Sequence, residues 1–501
     1  MFNSRRGGLL AAVYSAGLAL AIAAPASAET LAEAIALAYE SNPTLQAQRA
    51  TQRALDENWV QARTGYRPQA SVTGSVAWAD LRTPGQGDFV DTNGDGIRDT
   101  LIAGRRDDNS ASATLQLSQP IYTGGRVAAA VNAAEADILA GREQLRRTEA
   151  TVIQSVVQAY ADTRRDQEGL RIREENVGVL QRQLDESKAR FEVGEITRTD
   201  VAQSEARLAA AEAQLSQAQA QLASSRAVYA AVVGQNPGDL AAEPAISTML
   251  PAEVAQAYET AEINNPQIRQ AQYAEQGSRA RLSAARAERM PNLGLTGSVG
   301  YSGMADPWSG EDSSRAVRAG ATLSVPLFTG GLVSSRVRAA MERNNADRIN
   351  VEVARRSVMQ SLTQAWNQHL ASKANIASTD QQVKAARIAA EGTKQEQQVG
   401  LRTTLDVLNA EQELRNAELS QVTARRDEFV AGSLVLAQMG QLEAPMLGPG
   451  ITRYDPSSNF RKNRITWGWV PWEEPIAVVD GAFTPKTVEK PTAAPPPTAP
   501  K

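Results

Sequence analysis

The chain has no cysteine, a single histidine and an aromatic content of 5%. The first absence excludes disulfides, thiol catalysis and a lipid-anchored N-terminal cysteine. His369 has no second His and no Cys with which to form a metal site, so it reads as an ordinary helix residue. No Ser/His/Asp set can be argued, and "GGLVSS" and "TGGR" lack a P-loop lysine at the right spacing, which leaves them as turns. A basic surplus is also missing. The 52 Lys and Arg face 56 Asp and Glu, a net charge of −4, with no patch suited to nucleic acid. Apolar runs are short as well: outside Leu9 to Ala24, no stretch approaches the ~20 residues a membrane helix needs. A chain of this kind that sits in a membrane must do so with strands.

What is present begins with a secretory signal peptide over residues 1–28: Arg5 and Arg6, the short apolar core, and Ala26-Ser27-Ala28 as cleavage site. Its removal takes the net charge to about −6. The remaining composition, within a chain that is 42% hydrophobic and 22% charged, is that of folded protein.

The chain is written twice. "QPIYTGG" at 119–125 returns as "VPLFTGG" at 325–331, and "FEVGEITRTDV" returns as "QQVGLRTTLDV", both 206 residues later. Upstream, "SNPTLQAQ" and "YRPQASVTGSV" return as "NNPQIRQAQ" and "RMPNLGLTGSV" at an offset of 223, so copy one carries a 17-residue insertion between Pro68 and Pro120. Units of this length are duplicated supersecondary modules rather than solenoid repeats. They span 29–240 and 241–442, with a tail over 443–501.

Within each copy the hydrophobic period changes. Ala70, Val72, Gly74, Val76 and Trp78 alternate with Ser71, Thr73, Ser75 and Ala77, the period-two signature of a strand. The pattern predicts four strands, at about 69–80, 111–121, 293–302 and 316–327. A soluble sheet buried on one side would alternate in the same way. The polar faces, however, hold small residues in place of Lys and Glu, which suits an outer-membrane barrel; four strands fall short of the ~8 such a barrel needs, so several chains must contribute. The other segments read as helices: proline-free runs from Gly125 to Phe191 and Gly331 to Gln398, returning helices over Asp200–Val233 and Leu405–Met439, and shorter ones over Pro43–Gly65 and Pro266–Arg289. The long hairpins thus occupy 125–233 and 331–439.

This plan, with its signal peptide, its Pro-aromatic-Thr-Gly-Gly turn and "VGLRTTLDVLNAEQEL", resembles the TolC family of outer-membrane efflux proteins from about Glu29 to Leu442. The resemblance implies an α+β fold: a homotrimer whose four strands per chain make a twelve-stranded transmembrane barrel, continued by a long α-helical tunnel across the periplasm. It implies a passive exit duct set in outer-membrane lipid and not an enzyme. Its partners would be a periplasmic membrane-fusion adaptor and an inner-membrane pump of RND, MFS or ABC type, in drug efflux or type I protein secretion. The alternative reading is a periplasmic coiled-coil adaptor or scaffold, which has no use for the four strands; an enzyme is a third. On the barrel reading, Pro120 and Pro326 end ladder pairing and the glycine pairs free the backbone for the turn into the long helix.

Four places carry site expectations. At the hairpin tips, Val193-Gly194 and Val399-Gly400 cap helices that turn back, and by resemblance they seat the adaptor. In the insertion, Asp91, Asn93, Asp95 and Asp99 match the start of a calcium loop, although Ile102 stands where the bidentate Glu belongs; such runs are also ordinary turn chemistry. A calcium ion there is the only cofactor expected. Thr403 and Asp406, like Thr197 and Asp200, have capping-box spacing. The resemblance instead makes Asp406 and Asn409 a periplasmic constriction, held shut by Arg402 through Thr199 and Asp200. This chain departs from the family in having Asn409 for a second acid and Gln397 for a tyrosine tether. In the tail, Trp467, Trp469 and Trp472 could pack on the outside of the helical barrel, the favoured reading, or bind a partner; the tail is otherwise expected to be largely disordered.

Overall fold

The structure, a computed structural model, describes residues 28–83, 89–101, 104–304, 313–448, 450–482 and 484. The signal peptide and the Pro-rich end fall outside the described residues. Each half of the chain opens with two short helices, α1 (Leu31–Ser41) and α2 (Pro43–Arg63) in the first, α5 (Val254–Asn264) and α6 (Pro266–Ala287) in the second. Asn-Pro starts both second helices. The side-chain carbonyl of Asn42 accepts from Thr44 N at 2.9 Å, that of Asn265 accepts from Gln267 N at 2.8 Å, and proline follows where no donor is needed.

The strands are β1 (Gln69–Thr83), β4 (Gly104–Tyr122), β5 (Asn292–Met304) and β6 (Ser314–Ser324), while β2 (Phe89–Val90) and β3 (Thr100–Leu101) pair within the insertion. The four form one antiparallel sheet in the order β1-β4-β5-β6. Its register sorts the side chains by face. Val72 lies opposite Leu115, Leu115 opposite Val299 and Val299 opposite Val317, an apolar row across all four strands, in which Val72 is 74% and Val317 64% exposed. Three residues further along, Ser75, Ser112, Ser302 and Ser314 make a matching row on the other face, joined by hydroxyl contacts of 2.8 Å (Ser75 to Ser112) and 3.0 Å (Ser302 to Ser314). A sheet with an exposed apolar face and a small, hydroxyl-lined face is the one the alternation predicts.

Two strand ends differ from expectation. Strand β4 begins at Gly104, since its charged start carries no alternation, and Pro120 does not end it: the strand bulges between Pro120 and Tyr122 while still paired with β5. Beyond Ser118 its β1 side has no ladder partner, so one side can absorb a residue that lacks an N–H. Strand β6, an edge within one chain, stops at Ser324, short of 327.

From the sheet the chain enters two helices of 67 residues, α3 (Arg126–Glu192) and α7 (Leu332–Gln398), each ~100 Å long at 1.5 Å per residue. They return as α4 (Arg198–Val233) and α8 (Thr404–Gln438). Midway, α1, α3, α4 and α8 share a core around Tyr160, Tyr229 and Leu436, all fully buried. The two phenols find acceptors at the core's edge, Tyr160 at Glu29 O and Ala241 O, Tyr229 at Glu29 Oε1.

The expectation of a largely disordered tail is corrected. Three helices follow Leu442: α9 (Ala444–Leu447), α10 (Ser457–Asn463) and α11 (Glu473–Gly481). The last of them is held by two buried acids. Glu473 pairs with Arg63 at 2.5 Å and Arg67 at 2.9 Å, with all three side chains under 10% exposed. Asp480 accepts from Thr123 N (2.6 Å), Thr123 Oγ1 (2.9 Å), Gly125 N (3.1 Å), Ala128 N (3.3 Å) and Tyr66 OH (3.3 Å). A carboxylate thus closes the start of α3, where the helix leaves orphan N–H groups and Gly124 and Gly125 turn at φ +70° and +84°.

Replacing Asp480 by alanine strands several buried donors at about 1–3 kcal/mol each. Asp480→Ala is therefore expected to lower the temperature at which the purified protein loses its native assembly. An unchanged transition would show that the tail does not support this junction.

Candidate functional site at the hairpin tips

At the far end of the hairpins the two halves use the same backbone device. In the first, Glu195 N donates to Arg190 O and Gly194 N to Phe191 O, both at 2.9 Å; in the second, Leu401 N donates to Glu396 O at 2.9 Å and Gly400 N to Gln397 O at 3.0 Å. Both are Schellman closures, and Gly194 and Gly400 each sit at φ +81°, the conformation glycine takes without strain. Beside the glycines Val193, Val399 and Leu401 are 73%, 72% and 76% exposed, so each tip presents apolar side chains to whatever meets it.

The return helices start on capping boxes, as the spacing allowed. Thr197 N and Oγ1 donate to Asp200 Oδ2 at 3.0 and 2.8 Å, and Thr403 N and Oγ1 donate to Asp406 Oδ2 at 3.1 and 2.8 Å. Asp406 is half-exposed, and its carboxyl is held below its ordinary value, first by the hydrogen bonds from Thr403 and then by the Arg402 charge. Arg402 Nε pairs with Glu396 Oε2 at 2.8 Å inside its own tip. One chain does not join Arg402 to Asp200, whose carboxylate is occupied by Thr197, and Thr199 lies exposed on the first turn of α4. Gln397, at the tyrosine position, is buried and donates to Thr404 Oγ1 at 3.3 Å.

Two contacts carried no signal in the sequence. Arg207 of α4 donates through Nη2 to Asn409 Oδ1 of α8 at 2.9 Å, tying one hairpin to the other. Beside it Leu408 is buried in a cluster with Leu180, Leu184, Leu208 and Ala211 of α3 and α4. The tips also reverse polarity: Arg190 reaches Glu195 at 3.0 Å in the first, while the equivalent position in the second is Glu396, paired with Arg402. Only the offset of 206, applied to charges, could have shown this.

In the insertion, Asp91 accepts from Gly96 N and Gly94 N at 2.7 Å and from Asn93 N at 3.2 Å, which holds its carboxyl below the usual range. Asp95 accepts from Ile97 N and Asn93 Nδ2, and Asp99 from Thr100 Oγ1. These oxygens close the loop's own turns. Among the described residues no three His, Cys, Asp or Glu gather as a metal site, and Ile102 lies outside them. His369 is buried on α7 with Glu428 3.8 Å away, and desolvation keeps its pKa below the ordinary value.

A sequence profile described as outer membrane efflux protein matches residues 34–235 and 257–429. The chain is 33% identical over 459 residues to the outer membrane efflux protein BepC of Brucella suis biovar 1 (strain 1330), covering 91% of this chain and 95% of BepC. It is 26% identical over 415 residues to the alkaline protease secretion protein AprF of Pseudomonas aeruginosa, covering 81% and 83%. In fold it is similar to the solved outer-membrane channel OprN, with a TM-score of 0.68 and 21% identity over 82% of this chain and 90% of that one.

If the Arg207 to Asn409 bond holds the hairpins in register, spin labels at Val193→Cys and Val399→Cys will show a broader distance distribution once Arg207 is alanine. The absence of native cysteine makes the labelling clean. An unchanged distribution would assign the register to Leu408 packing alone.

Proposed function

The chain belongs to the outer membrane efflux protein family, and from that premise we propose that three copies close one duct, through which cargo handed over in the periplasm leaves the cell. It is an outer-membrane protein that extends into the periplasm. The observation that carries the trimeric reading is the sheet: four strands, one apolar exposed face, one serine-lined face, and free edges at β1 and β6 within one chain. Three such sheets make twelve strands, with the serine face lining the bore and the apolar face meeting lipid. The exposed apolar face also weighs against a periplasmic scaffold, which would leave it in water.

The helical hairpins continue the bore, and the apolar tips at Val193, Val399 and Leu401 seat an adaptor bound to an inner-membrane pump. Cargo is either a small molecule, as the efflux name of BepC suggests, or a protein, as the secretion name of AprF suggests. No chemistry is asked of the duct itself.

Closure at the tips follows from threefold symmetry. An Asp406 near the axis appears three times, and a ring of carboxylates in a narrow bore gathers cations. Asn409, three residues on, shares its helix face without adding charge. Across the protomer boundary Arg402 is the tether, exchanging Glu396 of its own tip for Thr199 and Asp200 of the next chain.

Planar-bilayer recordings test the gate. Arg402→Ser is expected to raise single-channel conductance, and Asp406→Ala to weaken block by multivalent cations. If Asp406 serves only as a helix cap, its alanine variant would lose assembly stability with cation block unchanged.

A further inference from the structure

The segment between α10 and α11 is fastened to the protein at both ends and exposed in the middle. At one end Phe460 meets Trp59 edge-on at 5.2 Å and Asn459 donates to Asp56 at 3.0 Å; at the other stand Glu473 and Asp480 with their buried partners. Between them Trp467 is 100% exposed and Ile465 72%, with Trp469 and Trp472 about half exposed. The expectation that the three tryptophans pack on the helical barrel is met only in part among the described residues: Trp469 and Trp472 are half covered, and Trp467 is left bare. Side chains of this size are not left in water at random when the backbone carrying them is pinned on both sides.

Their position shows what they face. Trp472 Nε1 donates to Gln119 Oε1 at 3.1 Å, and Gln119 lies on the same strand face as the exposed Leu115 and Leu117, at the end of β4 where the chain turns into α3. A Cβ added to Gly468 would lie 3.9 Å from Arg67, two residues ahead of β1. The aromatic segment therefore stands at the periplasmic margin of the sheet, on its apolar side. It also carries charge of one sign: Arg461, Lys462 and Arg464 lie between Pro456 and Trp472 with no acid among them, Asp455 just upstream pairing Arg461 at 2.6 Å.

We infer that Arg461–Trp472 is an interfacial anchor that beds in the headgroup layer of the periplasmic leaflet of the outer membrane and prefers anionic phospholipid. Tryptophan is the side chain suited to that depth, with an apolar ring for the acyl boundary and an N–H for the headgroups. Lysine and arginine beside it meet lipid phosphates, and each basic group near an anionic surface adds to the attraction. The apolar rows of the sheet continue directly into this patch, so lipid already meets the protein at its upper edge. The anchor would set the depth of the barrel without a covalent lipid, which a chain lacking cysteine cannot carry on a thiol.

The cysteine-free chain permits a direct test. Full-length protein carrying Ile465→Cys, labelled with bimane, is placed in nanodiscs of phosphatidylethanolamine with increasing phosphatidylglycerol, and quenching is read from nitroxides at the headgroup or deep in the acyl chain. A second preparation labelled at Val193→Cys serves as the aqueous reference. Headgroup nitroxide should quench the label at 465 several-fold more than the label at 193 and more than deep nitroxide does. The effect should grow with phosphatidylglycerol and shrink when Lys462 and Arg464 are both serine. Quenching at 465 no greater than at 193 would overturn the assignment. So would a label equally shielded in lipid-free amphipol, since a neighbouring protomer would then be the cover.

Discussion

An antiparallel sheet in hydrocarbon tolerates no free edge. Every N–H and C=O of a membrane-spanning strand must be paired within protein, because no water is there to take its place. Among the described residues of one chain the outward-facing groups of β1 and β6 have no ladder partners, while β4 and β5 have a neighbour on both sides. That demand makes the single chain an incomplete object, and the proposed threefold closure, with a tunnel beneath it and the tips near its axis, is the arrangement that would meet it.

The same demand reaches the strand-to-helix junctions. Each long helix begins with N–H groups that nothing inside the helix can satisfy. At α3 the solution is a carboxylate from the far end of the chain, Asp480, more than 350 residues away in sequence. The Thr329-Gly330-Gly331 turn before α7 has the same glycine geometry, at φ +60° and +85°, but meets no such carboxylate among the described residues, and Leu327 and Phe328 beside it are more than 90% exposed. The two halves are alike in plan yet differ in what covers them, and on the proposed trimer the second junction would face a neighbouring protomer.

Much of this was legible in the residues. Alternation of small polar with apolar side chains located the four strands, because successive strand residues face opposite sides of the sheet and the two faces differ in chemistry. Glycine pairs marked the turns, and Thr-x-x-Asp marked the starts of α4 and α8. The illegible parts rest on contacts distant in sequence. Nothing near Asp480 or Glu473 announces that their partners are Thr123, Arg63 and Arg67, so a stretch rich in proline and tryptophan read as disordered. Arg207 and Asn409 meet only because two hairpins pack side by side. Asp406, read by spacing as a cap and by resemblance as a gate, makes the cap within the chain; its gating role rests on the assembly.

The barrel closure itself can be measured. Within the chain Leu115 faces Val299 across β4 and β5. Shifting the first by the 206-residue offset and the second by the 223-residue offset gives Ala321 on β6 and Val76 on β1, which should face each other across the protomer boundary. In one chain those strands lie three spacings apart, about 14 Å at ~4.8 Å each, beyond the ~7 Å Cα reach of a disulfide. Mild oxidation of the Val76→Cys, Ala321→Cys double variant in membranes is predicted to yield covalent trimers that withstand boiling in detergent without reductant. Monomers alone, with both single-cysteine variants folded and inserted, would contradict the account.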